Sequence, residues 1–230
     1  MKLRTTLLAL ALATAPLLAH AESAVMIQGP QVEAKPDGSS RETAVLAGGC
    51  FWGIQAVYQH VKGVSLAESG YAGGDKKDAN YDRVSSGRTS HAESVKITFD
   101  PREVSYGQLL HIYFSVAHNP TQLNRQGPDT GPQYRSEIFP QNERQAKIAK
   151  DYIAQLDATK VFKRPIVTKV GPVNTSFYAA EAYHQDYATK HPNQPYIVFN
   201  DAPKVANLKN MFPKLWSEKP VLVSEAQKTN

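Results

Sequence analysis

The sequence predicts an α+β fold: a two-layer sandwich of helices on a mixed or antiparallel sheet, with a ferredoxin-like core and an irregular C-terminal extension. Three observations lead there. The stretch His91-Ala92-Glu93-Ser94-Val95-Lys96-Ile97-Thr98-Phe99 alternates with the period of a half-buried strand. Elsewhere, apolar residues such as Phe51, Ile54, Tyr58 and Val61 recur at helical spacing. Strands and helices then follow one another without the regular βαβ repeat that a doubly wound sheet requires.

Taken in order, the chain opens with Lys2 and Arg4, an apolar run from Leu7 to Leu18, and Ala19-His20-Ala21 before Glu22. That is the pattern of a secretory signal peptide over residues 1–21, cleaved near Ala21/Glu22, and the run is too short to span a bilayer. The expectation is an exported chain, periplasmic or secreted, without a membrane span. Residues 22–40 contain Gln28-Gly29-Pro30 and Pro36-Asp37-Gly38-Ser39 and read as a flexible lead-in. One domain over 41–218 and a frayed polar tail over 219–230 complete the organisation.

Within that domain, Thr43–Ala47 reads as a short buried strand and the Phe51–Val61 spacing as a helix. Gly70-Tyr71-Ala72-Gly73-Gly74 and the polar residues to Arg83 read as a loop. Ser105 is placed to cap a helix carrying Leu109, Leu110, Tyr113 and Phe114. Residues 118–133 hold three prolines and two glycines, which predicts a long loop. A second long helix spans about Asn142 to Leu156, and Val161–Val173 reads as a strand region. Ala179–Thr189 is expected to be a short helix with His184 on it, and Pro192–Asn200 irregular. Asp201 then caps a last helix with Val205, Leu208, Phe212 and Leu215 on one face.

Composition excludes several classes of function. The formal net charge of +5 falls to +3 once Lys2 and Arg4 leave with the leader, and the remaining basic residues are mixed with acids. No nucleic-acid footprint is present in that pattern. No His/Cys/Asp cluster has metal-ligand spacing and no glycine-rich loop follows the phosphate or dinucleotide pattern, so no metal or cofactor is expected. A monomer is expected.

The chain has one cysteine, Cys50, in Gly48-Gly49-Cys50-Phe51-Trp52-Gly53. A lone thiol in an oxidising compartment is either a buried small hydrophobe or a group that an external reductant visits. Three glycines within six residues, at the junction of a strand and a helix, favour a reactive thiol. Free amides at the helix start favour a thiolate, which pulls the thiol below its free value of about 8.5. Glu93 shares a strand face with Val95, Ile97 and Phe99, so its carboxyl lies on the apolar side, where burial raises the pKa and keeps a proton available. The alternative is a solvated carboxylate at the rim. Tyr81, Tyr134 and Asp129 sit in loops where substrate contacts concentrate, and a phenol hydroxyl can donate to an oxygen gaining charge. His91, His118 and His184 are candidates to pair with a thiol, though none has a spacing that says so.

Gly48-Gly49-Cys50-Phe51-Trp52-Gly53, Gly70-Tyr71-Ala72-Gly73-Gly74, His91-Ala92-Glu93, and Asn124-Arg125-Gln126-Gly127 with Gln133-Tyr134-Arg135-Ser136 together resemble the peptide methionine sulfoxide reductase A family, in that order and over roughly Thr43 to Trp216. The resemblance implies that Cys50 is the nucleophile and that Phe51 and Trp52 form a pocket for the sulfoxide's methyl group. It further implies that Glu93, Tyr81 and Tyr134 bind and polarise the sulfoxide oxygen, with Asp129 close by. The implied activity is reduction of methionine (S)-sulfoxide in oxidised proteins and peptides through a cysteine sulfenic acid. Many relatives carry further cysteines that resolve this acid; this chain has none. The resemblance therefore implies an external reductant: a thioredoxin-like protein, a glutaredoxin or a small thiol. Asn119 and Pro132 depart from the family's commoner aspartate and threonine. Two other readings remain: a thiol hydrolase or acyltransferase pairing Cys50 with His118 or His184, and a non-catalytic module that binds apolar side chains at Phe51 and Trp52.

Overall fold

The computed structural model describes residues 24–33 and 38–226. Residues 1–21, on which the expectation of a signal peptide and export rests, lie outside them.

Eight strands and seven helices follow one another: β1 (Glu42–Gly48), α1 (Phe51–Gln59), β2 (Val64–Ala72), α2 (Tyr81–Val84), β3 (Ala92–Phe99), α3 (Tyr106–Ile112), β4 (Arg125–Gln126), β5 (Asp129–Thr130), β6 (Ser136–Phe139), α4 (Glu143–Thr159), β7 (Lys169–Val170), β8 (Phe177–Ala179), α5 (Tyr187–Lys190), α6 (Ala202–Met211) and α7 (Val223–Ala226). Six strands form one sheet in the order β7-β6-β1-β3-β2-β8, antiparallel except where β7 joins β6. β4 and β5 make a separate two-stranded ribbon.

The alternation along the strands sorts the core into two sets. Ala44, Leu46, Val95 and Ile97 point to the face covered by α1, α3 and α4, where Ile54, Tyr58, Leu109, Phe114 and Tyr152 are fully buried with them. Each such large side chain contributes about 1.5–3 kcal/mol by leaving water. The opposite face carries a smaller set, Val45, Ala47, Ala72, Ala92 and Phe139, with Phe177 against it. The layer count and the mixture of strand directions are those the sequence predicts.

Helix starts follow local chemistry. Ser105 and Gln108 bond each other's backbone amides as a capping box for α3, and Asn142 accepts from the Gln145 amide at the start of α4. α3 runs on through a wider turn over Tyr113–Ala117.

Several segments differ from expectation. Of the stretch read as a loop from Gly70 to Arg83, residues 70–72 are the end of β2, a nine-residue strand beside β3, and the rest is irregular apart from a tight turn at Lys76–Asp78 and the start of α2. The small residues Ser65, Ala67 and Ser69 of β2 carry little strand preference, and pairing between β3 and β8 overrides that. The expected strand over Val161–Val173 shrinks to Lys169–Val170, since Pro165 and Pro172 cannot donate to a ladder. The expected helix over Ala179–Thr189 is instead the end of β8, a single tight turn at Ala182–His184, and α5. Extended Gln185 and left-handed Asp186, with φ at 60°, break it. Asp201 makes no cap bond to α6; a wide turn over Ile197–Asp201 leads into that helix, and the Asp201 side chain points elsewhere.

Both ends of the described residues are held. Val25 donates to the Ser115 carbonyl at 3.0 Å, Tyr152 donates to the Gln28 carbonyl at 2.8 Å, and Ile27 is buried. Thus residues 24–33 of the lead-in lie against α3 and α4. In the tail, expected to fray, Val223 and Ser224 donate their amides to Asp186 at 2.9 and 3.1 Å, and Val221 donates to the Gln59 carbonyl.

Candidate active site

Cys50 lies where β1 ends and α1 begins. The turn is made by Gly49 at φ +100°, where an added Cβ would also lie 2.6 Å from Gln126 Cβ, so no other residue fits. This delivers Cys50 to the helix start with only 8% of its surface exposed. Burial pushes the thiol well up, the negative charges of Glu93, Asp201 and Asp129 push it the same way, and the Trp52 amide directed at the sulfur opposes them. The sequence expectation of a thiolate held by the helix end is therefore reversed in the free enzyme. The amide is there as anticipated, but desolvation and the surrounding acids outweigh it.

Glu93 sits on β3 beneath that first turn, 2% exposed, and its Oε2 accepts the Phe51 amide at 3.1 Å. Burial pushes its carboxyl up to about 8 despite that hydrogen bond, with Asp129 and Asp201 adding to the rise. Near neutrality Glu93 thus holds a proton, within reach of a helix turn whose next amide faces the sulfur.

Tyr81, first residue of α2, is fixed by its amide donating to Glu181 Oε1 at 2.9 Å, and its ring lies 4.7 Å from the His184 ring. Tyr134 ends the tight turn Pro132–Tyr134. Burial raises both phenols, the charges of Glu93 and Cys50 push each the same way, and both stay protonated. Asp129, on β5, accepts the Tyr196 hydroxyl, and burial raises its carboxyl.

Phe51 and Trp52 form the aromatic side. Trp52 stacks on Tyr187 with centroids 3.8 Å apart and planes 9° apart, and its Nε1 donates to His184 Nδ1 at 3.2 Å. Phe51 meets the edge of His184 at 5.0 Å. Of the seven residues singled out from the sequence, Cys50, Phe51, Trp52 and Glu93 meet at the first turn of α1, Asp129 lies with Cys50 on the cavity described next, and Tyr81 and Tyr134 are near enough for the charges of Glu93 and Cys50 to act on them. A cavity of about 20 Å³ opens beside the sulfur, the room of roughly one water molecule. Cys50, Gln126, Asp129, Tyr196, Asn200 and Lys204 line it.

The histidines are differently employed. His118 donates through Nδ1 to the Tyr113 carbonyl, its Nε2 lies 3.2 Å from Thr168 Oγ1, and burial lowers its pKa to about 3, so the ring is neutral. His91 bonds the Asp75 carbonyl at 2.9 Å. His184 is taken up by Trp52. No described hydrogen bond joins any of them to Cys50, which removes support for a hydrolase pairing. Among the described residues no group of three or more His, Cys, Asp or Glu is placed to hold a metal ion, and no helix is long and apolar enough to cross a membrane.

Sequence reasoning missed Tyr187, Tyr196, Asp201 and Lys204. Asp201 is fully buried, and its Oδ1 would lie 2.1 Å from a Cβ at position 53, with Lys204 Nζ 3.1 Å from the same point. Gly53 is the gap in α1 through which this pair reaches the catalytic turn. The Gly53 side of the motif was the available signal; nothing in the spacing of residues 196–204 announces their place.

Comparison with known proteins gives a consistent result. A family model described as peptide methionine sulfoxide reductase matches residues 42–216. A peptide methionine sulfoxide reductase MsrA 2 from Mesorhizobium japonicum is 65% identical over 185 residues, covering 80% of this chain and 94% of the relative. The MsrA 2 of Synechocystis is 46% identical, covering 81% of this chain and 88% of that one. Among solved structures, reduced Mxr1 from Saccharomyces cerevisiae is similar at a TM-score of 0.60 and 31% identity, over 70% of this chain and 91% of that one. The methionine sulfoxide reductase A of Corynebacterium diphtheriae gives 0.58 and 34%, over 73% and 83%.

Proposed function

The chain belongs to the peptide methionine sulfoxide reductase family and is an oxidoreductase acting on methionine sulfoxide, and from that premise we propose how its own residues carry the reaction. The supporting observation is that two successive amides of one helix turn serve the two reacting groups: Phe51 donates to Glu93, and Trp52 is directed at the Cys50 sulfur. Nucleophile and acid are thereby fixed on either side of the same backbone unit.

In the proposed first half, the sulfoxide's methyl group lies against Phe51 and Trp52, and its oxygen faces Glu93, Tyr81 and Tyr134. The Cys50 sulfur attacks the sulfoxide sulfur as Glu93 protonates the oxygen. Tyr81 and Tyr134 donate to that oxygen as its charge grows. Oxygen then passes to Cys50, leaving methionine and a sulfenic acid. The methionine sulfur is reduced by two electrons and the cysteine sulfur oxidised by two. The proton lent by Glu93 is balanced by the one that Cys50 gives up, which suits a site where both begin protonated.

With one cysteine in the chain, the second half needs a thiol from outside: a thioredoxin-like protein, a glutaredoxin or a small thiol. The S epimer as substrate, a monomeric state, and export to the periplasm or beyond with cleavage near Ala21/Glu22 belong to the same proposal; the leader's sequence pattern supports the last of these.

The test is the intact mass of the chain after reaction with excess methyl sulfoxide and no reductant. One added oxygen on Cys50, trapped by dimedone, and one methionine per chain are expected, with all turnover lost in Cys50→Ser. Release of clearly more than one methionine per chain would overturn the single-thiol scheme.

A further inference from the structure

We infer that Lys204, held by Asp201 over the first turn of α1, serves the regenerating half of the cycle: it draws in the external thiolate and supplies the proton needed by the departing hydroxide. The inference rests on the sulfenic acid reading above.

Three observations carry it. The cleft has two chemically unlike sides. Phe51, Trp52 and Tyr187 make one aromatic, and Gln126, Gly127, Asn200 and Lys204 make the other polar around the water-sized cavity beside the sulfur. Lys204 is only 9% exposed, a costly place for an ammonium, and its Nζ lies 3.4 Å from Asp201 Oδ1, with both groups seated in the gap left by Gly53. Finally, Glu93, the acid of the first half, lies beneath the turn on the Phe51 amide and does not line the water-sized cavity, whereas Lys204 does.

The chemistry balances. An external thiolate, its proton left in solvent, attacks the Cys50 sulfur, forming an S–S bond while the S–O bond breaks. The sulfenic sulfur is reduced and the incoming sulfur oxidised. Hydroxide takes a proton from the Lys204 ammonium and leaves as water through the adjacent cavity, and Lys204 takes the proton back from solvent. A second external thiol then attacks the mixed disulfide and frees Cys50. Asp201 is a positioning residue: fully buried, with Oδ2 lacking a partner among the described residues, it keeps the ammonium aimed at the cavity rather than at solvent.

Full-length chain is oxidised with one turnover of sulfoxide, then mixed with thioglycolate, 2-mercaptoethanol or cysteamine, and loss of the added oxygen is followed by rapid-quench mass spectrometry. In Lys204→Met, reduction by anionic thioglycolate is expected to slow at least tenfold and by cationic cysteamine less than threefold. First-turnover methionine release, followed in parallel, should slow less than reduction by thioglycolate, and Lys204→Arg should restore the preference for thioglycolate. If Lys204→Met folds poorly, Lys204→Gln removes the charge while keeping a hydrogen bond to Asp201. Unchanged reduction by thioglycolate would overturn the inference, as would equal slowing of all three thiols and of the first turnover, which marks a purely structural residue. Absence of any dimedone-trappable oxygen in the unsubstituted chain would instead sink the function proposed above, and this inference with it.

Discussion

The two sides of the Cys50 cleft are built by opposite rules. The side from β1, α1 and β3 consists of regular elements whose apolar faces close the main core, and it sets the sulfur and Glu93. The side from residues 181–204 is mostly single turns and short helices, and it is bonded to α1 by buried polar side chains. Gln55 Nε2 donates to Gln185 Oε1 at 2.8 Å, Gln59 Nε2 donates to Asp186 Oδ1 at 2.8 Å, and the Asp186 amide returns a bond to Gln55 Oε1 at 3.0 Å. Apolar burial makes one half, and directional hydrogen bonds dock the other to it. α1 belongs to both, so a change on either side is felt at the thiol.

The largest expected effect removes the acid of the regular side. Glu93→Gln should lower kcat by about 10²–10³-fold with KM little changed, as expected for a lost proton donor. The fall in kcat/KM as pH rises through about 8 should vanish with it. A variant retaining a tenth of the activity would remove Glu93 from that role.

The same substitution sharpens the comparison through stability. Burial raises the Glu93 carboxyl from 4.5 to about 8, so between those values the folded state holds a proton that the unfolded state has lost. The wild type therefore loses stability as pH rises through that window, by up to about 1.4 kcal/mol per unit. Urea midpoints of Glu93→Gln relative to wild type should climb from pH 5 to pH 8 and then level off. A constant difference would contradict a carboxyl buried in protonated form.

Breaking the seam comes next. Gly53→Ala places a methyl 2.1 Å from Asp201 Oδ1 and should cost roughly 1–3 kcal/mol in urea unfolding, with loss of activity as the pair is driven from the turn. A neutral result would contradict the close approach. The smallest effect is on the irregular side alone. Burial tends to raise the Asp186 carboxyl, but the amides of Val223 and Ser224 and the Gln59 side chain hold it below its usual value. Asp186→Asn should lose about 1 kcal/mol at pH 7, and because a lowered acid stabilises only when ionised, the gap should close as pH falls below 4. Thermal unfolding at both pH values checks it.

The legible half of the molecule is the regular one. Glu93 was found by strand alternation and Cys50 by the glycines around it, because each signal lies within a few residues of the group it marks, while Phe51 and Trp52 came from the resemblance carried by the same motif. β2 was missed because small side chains conceal a strand that exists through its neighbours. The helix-end argument gave the wrong sign for the Cys50 thiol because its burial, the largest cause of the rise, and the carboxyls of Glu93 and Asp201 are supplied by segments far along the chain and are not visible from position 50. His184 reaches Trp52 across 132 positions, and nothing local records that meeting.

The main sheet ends on β7, with two residues, and β8, with three. Those stubs matter in a family described as acting on peptides, because an unpaired strand border is a template for any extended chain. A longer border would invite such a chain to add to the sheet. Short borders leave few unpaired backbone groups for it to join.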